Sequence, residues 1–380
     1  MLPVLLSLSL AVQQPSAPPP PPAKRTVEFT GTVLMNGFYN SARTNSSDDP
    51  VFADTDAVGV KGSSATMRQT RLGVLVTDPQ VLGGSFTGEV DVDFFGGQQP
   101  AAGNRTFPLL RLRRAIATVQ WTHLQLMLGQ ETALVSDRNP RSLAGVGVPD
   151  FSLAGNLWFW IPQARVTAEY GYTVRLAVQA AVLAPIAGTQ GLLTTQPDSG
   201  ERSSRPYLQG RVRLGWGPAD DPSEVAIGGH IGWLRGLDSL TGDSLLQSRA
   251  VTFDTRLKLG PAEILGEAFV GQAIAGLGGG AIGQNAGVAG APVRTKGGWG
   301  QVNVRPRAGW MFGGGCGIDD PKDSDVLANG RLRNFVCEGH VQWRPPGPLL
   351  FGFEFRRLAT RYQAGDFTVN HLNLAAGFTF

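Results

Sequence analysis

What this chain has little of narrows the field before anything else. Charged residues make up only 17% of its 380 positions, which is low for a soluble protein of that length. Past the N-terminus it has no apolar run of the roughly 18 residues that a spanning helix requires, which argues against a helical membrane protein. Lysine is scarce beside arginine, and the basic residues stand singly, without the blocks or aromatic-interleaved patches of a nucleic-acid surface. There are four histidines, His123, His230, His340 and His371, all far apart. No GxSxG or HExxH spacing accompanies them, so an enzyme is not expected. The two cysteines, Cys316 and Cys337, have no second Cys or His pair at ligand spacing, so neither metal nor cofactor is expected.

What is present is period-two alternation, repeated along nearly the whole chain. In the cleanest run, Phe86, Gly88, Val90, Val92 and Phe94 fall on one face, and Glu89, Asp91 and Asp93 on the other. Side chains that alternate between lipid and water average to a mean hydropathy near zero, and the value here is -0.05. Runs of strand length fall at about 27–39, 67–77, 83–95, 109–121, 123–131, 161–169, 172–184, 205–215, 223–235, 247–259, 261–273, 295–304, 306–315, 330–344, 348–362 and 366–380. That makes sixteen, an even number, as single-chain bacterial barrels have. The expected fold is therefore all-β: a transmembrane antiparallel β-barrel of sixteen strands.

The connections separate into two sets. One is short and marked by Pro and Gly, as at Asp78–Pro79, Gly217–Pro218, Gly260–Pro261, Arg305–Pro306 and Arg344–Pro348. The other is mostly long: 40–66, 96–108, 132–160, 185–204, 236–246, 274–294 and 316–329. Short periplasmic turns and long extracellular loops are the barrel pattern. Aromatic residues near strand ends, among them Trp121, Trp158, Trp216, Trp310 and Trp343, suit interfacial girdles, with burial in a core as the alternative. Residues 1–14 read as a weak signal peptide, 15–25 as a Pro-rich periplasmic spacer, and 26–380 as the barrel. Cys316 and Cys337 flank one outer loop, where an oxidising compartment would allow a disulfide; two free cysteines are the alternative.

The chain ends on Leu372, Leu374, Ala376, Phe378 and Phe380, an unbroken apolar face. With Leu374, Phe378 and Phe380 in phase, this resembles the C-terminal signal that the barrel-assembly machinery reads on outer-membrane proteins. Upstream, Thr70-Arg71-Leu72-Gly73-Val74, Gly88 to Gly96, Leu112-Arg113-Arg114-Ala115 and Leu128 to Thr132 resemble the first half of DcaP-like porins. That resemblance implies a sixteen-stranded homotrimer in the outer membrane whose lumen favours small anions such as dicarboxylates. Its surroundings would be outer-membrane lipid and lipopolysaccharide. Where many such porins carry a coiled-coil-forming helix, this chain has its Pro-rich tract.

The polar faces of the strands would line the pore. The basic members are Arg71, Arg111, Arg113, Arg165, Arg175, Arg211, Arg213, Arg256, Lys258 and Arg356; the acidic members are Glu89, Asp91, Asp93, Asp254, Glu263, Glu267, Glu338 and Glu354. Arg rings favour anions. Two arrangements are open: opposed acidic and basic walls, or Arg–carboxylate pairs between neighbouring strands. Arg114 and Arg333 fall on the lipid phase, where a midplane charge costs roughly 2–4 kcal/mol, so each requires an interface, a bulge or a subunit contact. The long segment 132–160, with Asp137, Arg138, Arg141 and Asp150, is expected to fold inward as a constriction loop.

Overall fold

A computed structural model describes residues 24–55, 60–96, 108–188, 197–236 and 245–380. The signal stretch and most of the Pro-rich spacer lie outside the described residues. Among the described residues the chain forms one closed antiparallel barrel of sixteen strands. The first half comprises β1 (Thr26–Asn40), β2 (in two segments, Gly62–Thr66 and Arg71–Val81), β3 (Gly84–Asp93), β4 (Arg111–Gln120), β5 (Leu124–Thr132), β6 (Trp160–Gly171), β7 (Val174–Leu183) and β8 (Tyr207–Trp216). The second comprises β9 (Ser223–Arg235), β10 (Leu245–Leu259), β11 (Ala262–Gln272), β12 (Arg294–Val304), β13 (Trp310–Pro321), β14 (Arg331–Trp343), β15 (Leu349–Tyr362) and β16 (Gly365–Thr379). Each strand pairs with its sequence neighbour, and β16 returns to β1 from Thr32↔Thr379 to Asn40↔His371. Among the described residues no edge is left unpaired, which a sheet in lipid requires.

Alternation sets the two surfaces. On β16, Leu372, Leu374 and Phe378 are exposed outward, whereas Val369, His371 and Asn373 are buried inward. The same holds for Val251 and Phe253 against Thr252 and Asp254 on β10. Turns at one end are tight. Between β2 and β3 only Leu82 and Gly83 intervene, both at positive φ, the hairpin geometry that matches strand twist.

Three details depart from the sequence expectation. First, β2 is broken at Met67–Thr70, because its pairing with β1 passes from Asn36↔Thr66 to Thr32↔Arg71 and so carries one extra residue. Second, β13 runs from Trp310 to Pro321 rather than 306–315. Cys316 and Cys337 therefore do not flank a loop; they face each other across β13 and β14 and are joined by a disulfide. Third, Trp158 belongs to no girdle, being buried inside the barrel. Trp310, Trp343 and Phe351 do form a stacked row near the tight-turn end, with centroids 5.7 and 5.3 Å apart.

The two misplaced arginines are resolved by bulges. A register shift in β4 lets both Arg113 and Arg114 point inward, and Arg114 pairs with Glu89 at 2.7 Å and Glu131 at 2.5 Å. Arg333 sits at a second shift, opposite Arg361 and close to the β15–β16 turn, at the rim rather than the midplane.

Candidate functional site: the lumen and its inserted loop

The connection between β5 and β6, residues 133–159 and hereafter L3, lies inside the barrel. Its Ala133, Leu134, Val135, Ala154 and Leu157 are fully buried. A segment with this much backbone in a barrel must find partners for its polar groups, and the wall supplies them. Asn36 and Gln69 donate to the carbonyls of Leu143 (2.9 Å) and Ala144 (2.6 Å), and Arg113 and Arg111 to those of Val146 (2.6 Å) and Gly147 (2.5 Å). On the far side, Arg141 N donates to Gln301 at 2.7 Å, and Asn334 donates to the Leu153 carbonyl at 2.9 Å. L3 thus crosses the lumen from β1, β2 and β4 to β12 and β14.

Charged side chains of L3 complete the attachment. Arg138 pairs with Asp254 at 3.1 Å and with Glu224; Asp137 meets Arg211 at 3.4 Å; Arg141 meets Glu263 at 3.2 Å. Asp150 pairs with Arg356, whose guanidinium also holds Glu354 at 2.5 Å and Asp49 of the first long loop at 2.9 Å. Burial pushes Asp49 up to about 6 against the pull of Arg356. Burial likewise drives Asp150 well above the usual carboxylate range, opposed by Arg356 and reinforced by Glu354, Glu338 and Asp49.

The strand charges are arranged as pairs rather than as opposed walls. Asp91 and Asp93 are shared among Arg71, Arg111 and Arg113, with Arg111–Asp93 at 2.6 Å. Arg211 binds Asp254 at 2.7 Å, and Arg213 bridges Glu169 and Glu224. Glu263 collects Arg256 (2.9 Å) and Lys258 (3.2 Å). Arg165 donates to the Thr132 carbonyl and to Gln163, while Arg175 sits at the tight-turn end on the carbonyls of Tyr172 and Gly217. Glu267 is buried in the wall. Sequence reading missed the neutral anchors Asn36, Gln69, Gln301 and Asn334. Gln69 is turned inward at the break in β2, which no periodicity announces.

A cavity of about 620 Å³ opens at the tight-turn end of the lumen, lined in part by Arg71, Arg141, Arg305, Arg307 and Arg344 together with Ser142, Gln342, Trp310 and Met311. Among the described residues no carboxylate lines it. A second, of about 430 Å³, is bounded by Asp49, Arg68, Arg111, Val148, Trp158 and Arg331.

No protein-family model matches the sequence, and no curated protein matches it. Solved structures do match in fold. The outer membrane channel DcaP of Acinetobacter baumannii is 17% identical, covers 94% of this chain and 97% of its own, and superposes with a TM-score of 0.71. The trimer form of OmpT, an outer membrane protein of Vibrio cholerae, is 10% identical, with coverage of 94% and 100% and a TM-score of 0.55. Salmonella typhi OmpF, in complex with daunomycin, is 8% identical, with coverage of 93% and 97% and a TM-score of 0.56. The fold is that of the sixteen-stranded porin barrels.

Proposed function

We propose that this chain is an outer-membrane porin, a passive diffusion channel for small hydrophilic solutes with a preference for small anions such as carboxylates. The observation that carries the anion preference is the cavity at the tight-turn end, where Arg71, Arg141 and Arg305 are paired with Asp91 and Glu263 while Arg307 and Arg344 have no carboxylate partner among the described residues. Guanidinium groups stay protonated and match carboxylate geometry, so they raise the local anion concentration. L3 acts as the constriction, supported by its crossing of the lumen and its attachment to opposite walls. The tight turns face the periplasm and the long loops the exterior. Export would use residues 1–14, and the assembly machinery would read Leu374, Phe378 and Phe380. The trimer form of the OmpT structure supports a homotrimer, set in lipid and lipopolysaccharide.

Planar-bilayer conductance in a salt gradient tests this reading. The expected reversal potential is anion-selective, and deleting 137–150 raises the single-channel conductance. A cation-selective potential overturns the anion preference, unchanged conductance in the deletion removes L3 as the constriction, and no conductance at all points to a structural barrel.

A further inference from the structure

We infer that the outer surface of the barrel over β10–β13 is a binding site for lipopolysaccharide, holding its phosphorylated headgroup and the acyl chains beneath. The inference rests on the outer-membrane reading, in which the long loops face the exterior. A groove of about 1090 Å³ opens at the long-loop end of these four strands, and Lys322, Asp323 and Ser324, just past β13, contribute to its wall. Register orders the face into layers. Arg249, Gln272 and Arg294 stand in one row across β10, β11 and β12. Val251, Val270, Lys296 and Asp320 form the next, and Phe253, Ala268, Gly298 and Ile318 the third. These positions lie on the outward phase: Val251 is 63% exposed, Val270 66%, and the Lys296 side chain 72%. The surface therefore passes from cationic to wholly apolar within two rows.

The protein's own carboxylates do not neutralise all of these cations. Arg294 pairs with Asp325 at 2.7 Å, and Lys296 lies 3.4 Å from Asp320. Arg249 reaches the Gln272 amide oxygen at 3.4 Å, and neither it nor Lys322 has a carboxylate partner among the described residues. Asp320 and Asp323 are the two acids of the lining, against four cations. The basic border continues beyond the groove. Because barrel strands tilt, one height in the membrane crosses successive register rows. Arg357, exposed on the outward phase of β15, stands two rows from Lys296, in line with Gly300, Cys316 and Cys337. Phe355 and Phe353 continue the apolar band beneath it.

Such a border fits a lipid whose head is anionic. Guanidinium and ammonium groups bind phosphate oxygens, and their aliphatic stems lie on apolar surface while the charge stays at the water boundary. Val251, Val270 and Phe253 give acyl chains a floor to pack on, which a free phosphate would leave unused. The tight-turn end of the same wall carries the stacked Trp310, Trp343 and Phe351 instead, so the two leaflets meet different chemistry.

Native mass spectrometry of the detergent-solubilised full-length barrel, with bisphosphorylated lipid A as the probe, tests the inference without reference to conductance. One retained lipid A per chain is expected, with dephosphorylated lipid A held at least about tenfold more weakly. Arg249→Gln with Lys322→Gln should weaken retention by a similar factor, whereas Arg249→Lys with Lys322→Arg should keep it. A heat-modifiable gel shift checks that each variant is folded. Equal retention of the two lipids, or unaltered retention in the folded double Gln variant, overturns the inference. Displacement of lipid A by inorganic phosphate would overturn it in favour of a free-anion site. Disulfide formation between Val270→Cys barrels would do so in favour of a subunit contact. An anion-selective channel that retains no lipid A sinks this inference alone, and a barrel that retains lipid A without conducting sinks only the porin reading.

Discussion

Arg356, on β15, holds Asp150 of L3 by an ion pair in which both side chains are buried, and the same guanidinium binds Glu354 and Asp49. One wall residue thereby fastens two loops inside the lumen. Replacing Arg356 with Leu would strand three buried carboxylates. Removing one partner of a buried pair costs about 3–5 kcal/mol. The expected result is a loss of that order in urea unfolding and a larger, noisier single-channel conductance as L3 comes loose.

The same cluster makes L3 docking depend on pH. Asp49 is raised to about 6 in the folded barrel from an ordinary carboxylate value of 3.8, and Asp150 moves the same way. An acid whose folded pKa is raised binds its proton more tightly when folded, so it favours the folded, docked state at low pH. That contribution is lost as pH rises through about 6. Protection of the L3 backbone amides, taken against the intrinsic exchange rate at each pH, should rise between pH 7 and pH 4, and Asp49→Asn should flatten part of the change. Falling protection on acidification would contradict the sign.

The Cys316–Cys337 disulfide joins adjacent strands of the wall and closes a segment whose ends are 21 residues apart. Constraining the unfolded chain over a loop of that size contributes about 3 kcal/mol. Cys316 is exposed on the same outward phase as Phe312 and Ile318, away from L3. Reduction, or Cys316→Ser with Cys337→Ser, should lower the unfolding midpoint and leave ion conductance unchanged.

Phe380 closes the barrel by exchanging two backbone hydrogen bonds with Gly31, each 3.1 Å, and its ring lies where a Cβ of Gly31 would have to go. Gly31→Val should therefore slow closure, and deleting Phe380 should do so more strongly. The measurement is the heat-modifiable gel shift during refolding into detergent. Refolding yields equal to the parent chain in both variants would remove this contact from assembly.

The strands were legible because alternation is local: each side chain's exposure follows from its own position in the pleat, as at Val90 against Asp91. The ends of β13 were misjudged because Arg305–Pro306 marks where a turn starts and not where the next strand begins; the ladder does not resume until Trp310. Arg114 read as lipid-facing because a bulge changes phase without changing composition. Nothing in the sequence singles out Gln69 and Asn36, since their partners Ala144 and Leu143 lie 75 and 107 positions away.

By itself, the sequence determined the strand number, the inward and outward phases of the strands away from their bulges, and the separation of short turns from long loops. These depend on period and on local turn chemistry, which neighbouring residues carry. Only the tertiary structure decided how L3 crosses the lumen, which charges pair, and that Cys316 and Cys337 face each other across two strands. Those depend on register between strands, and register follows from closing sixteen strands into one barrel, not from any segment alone.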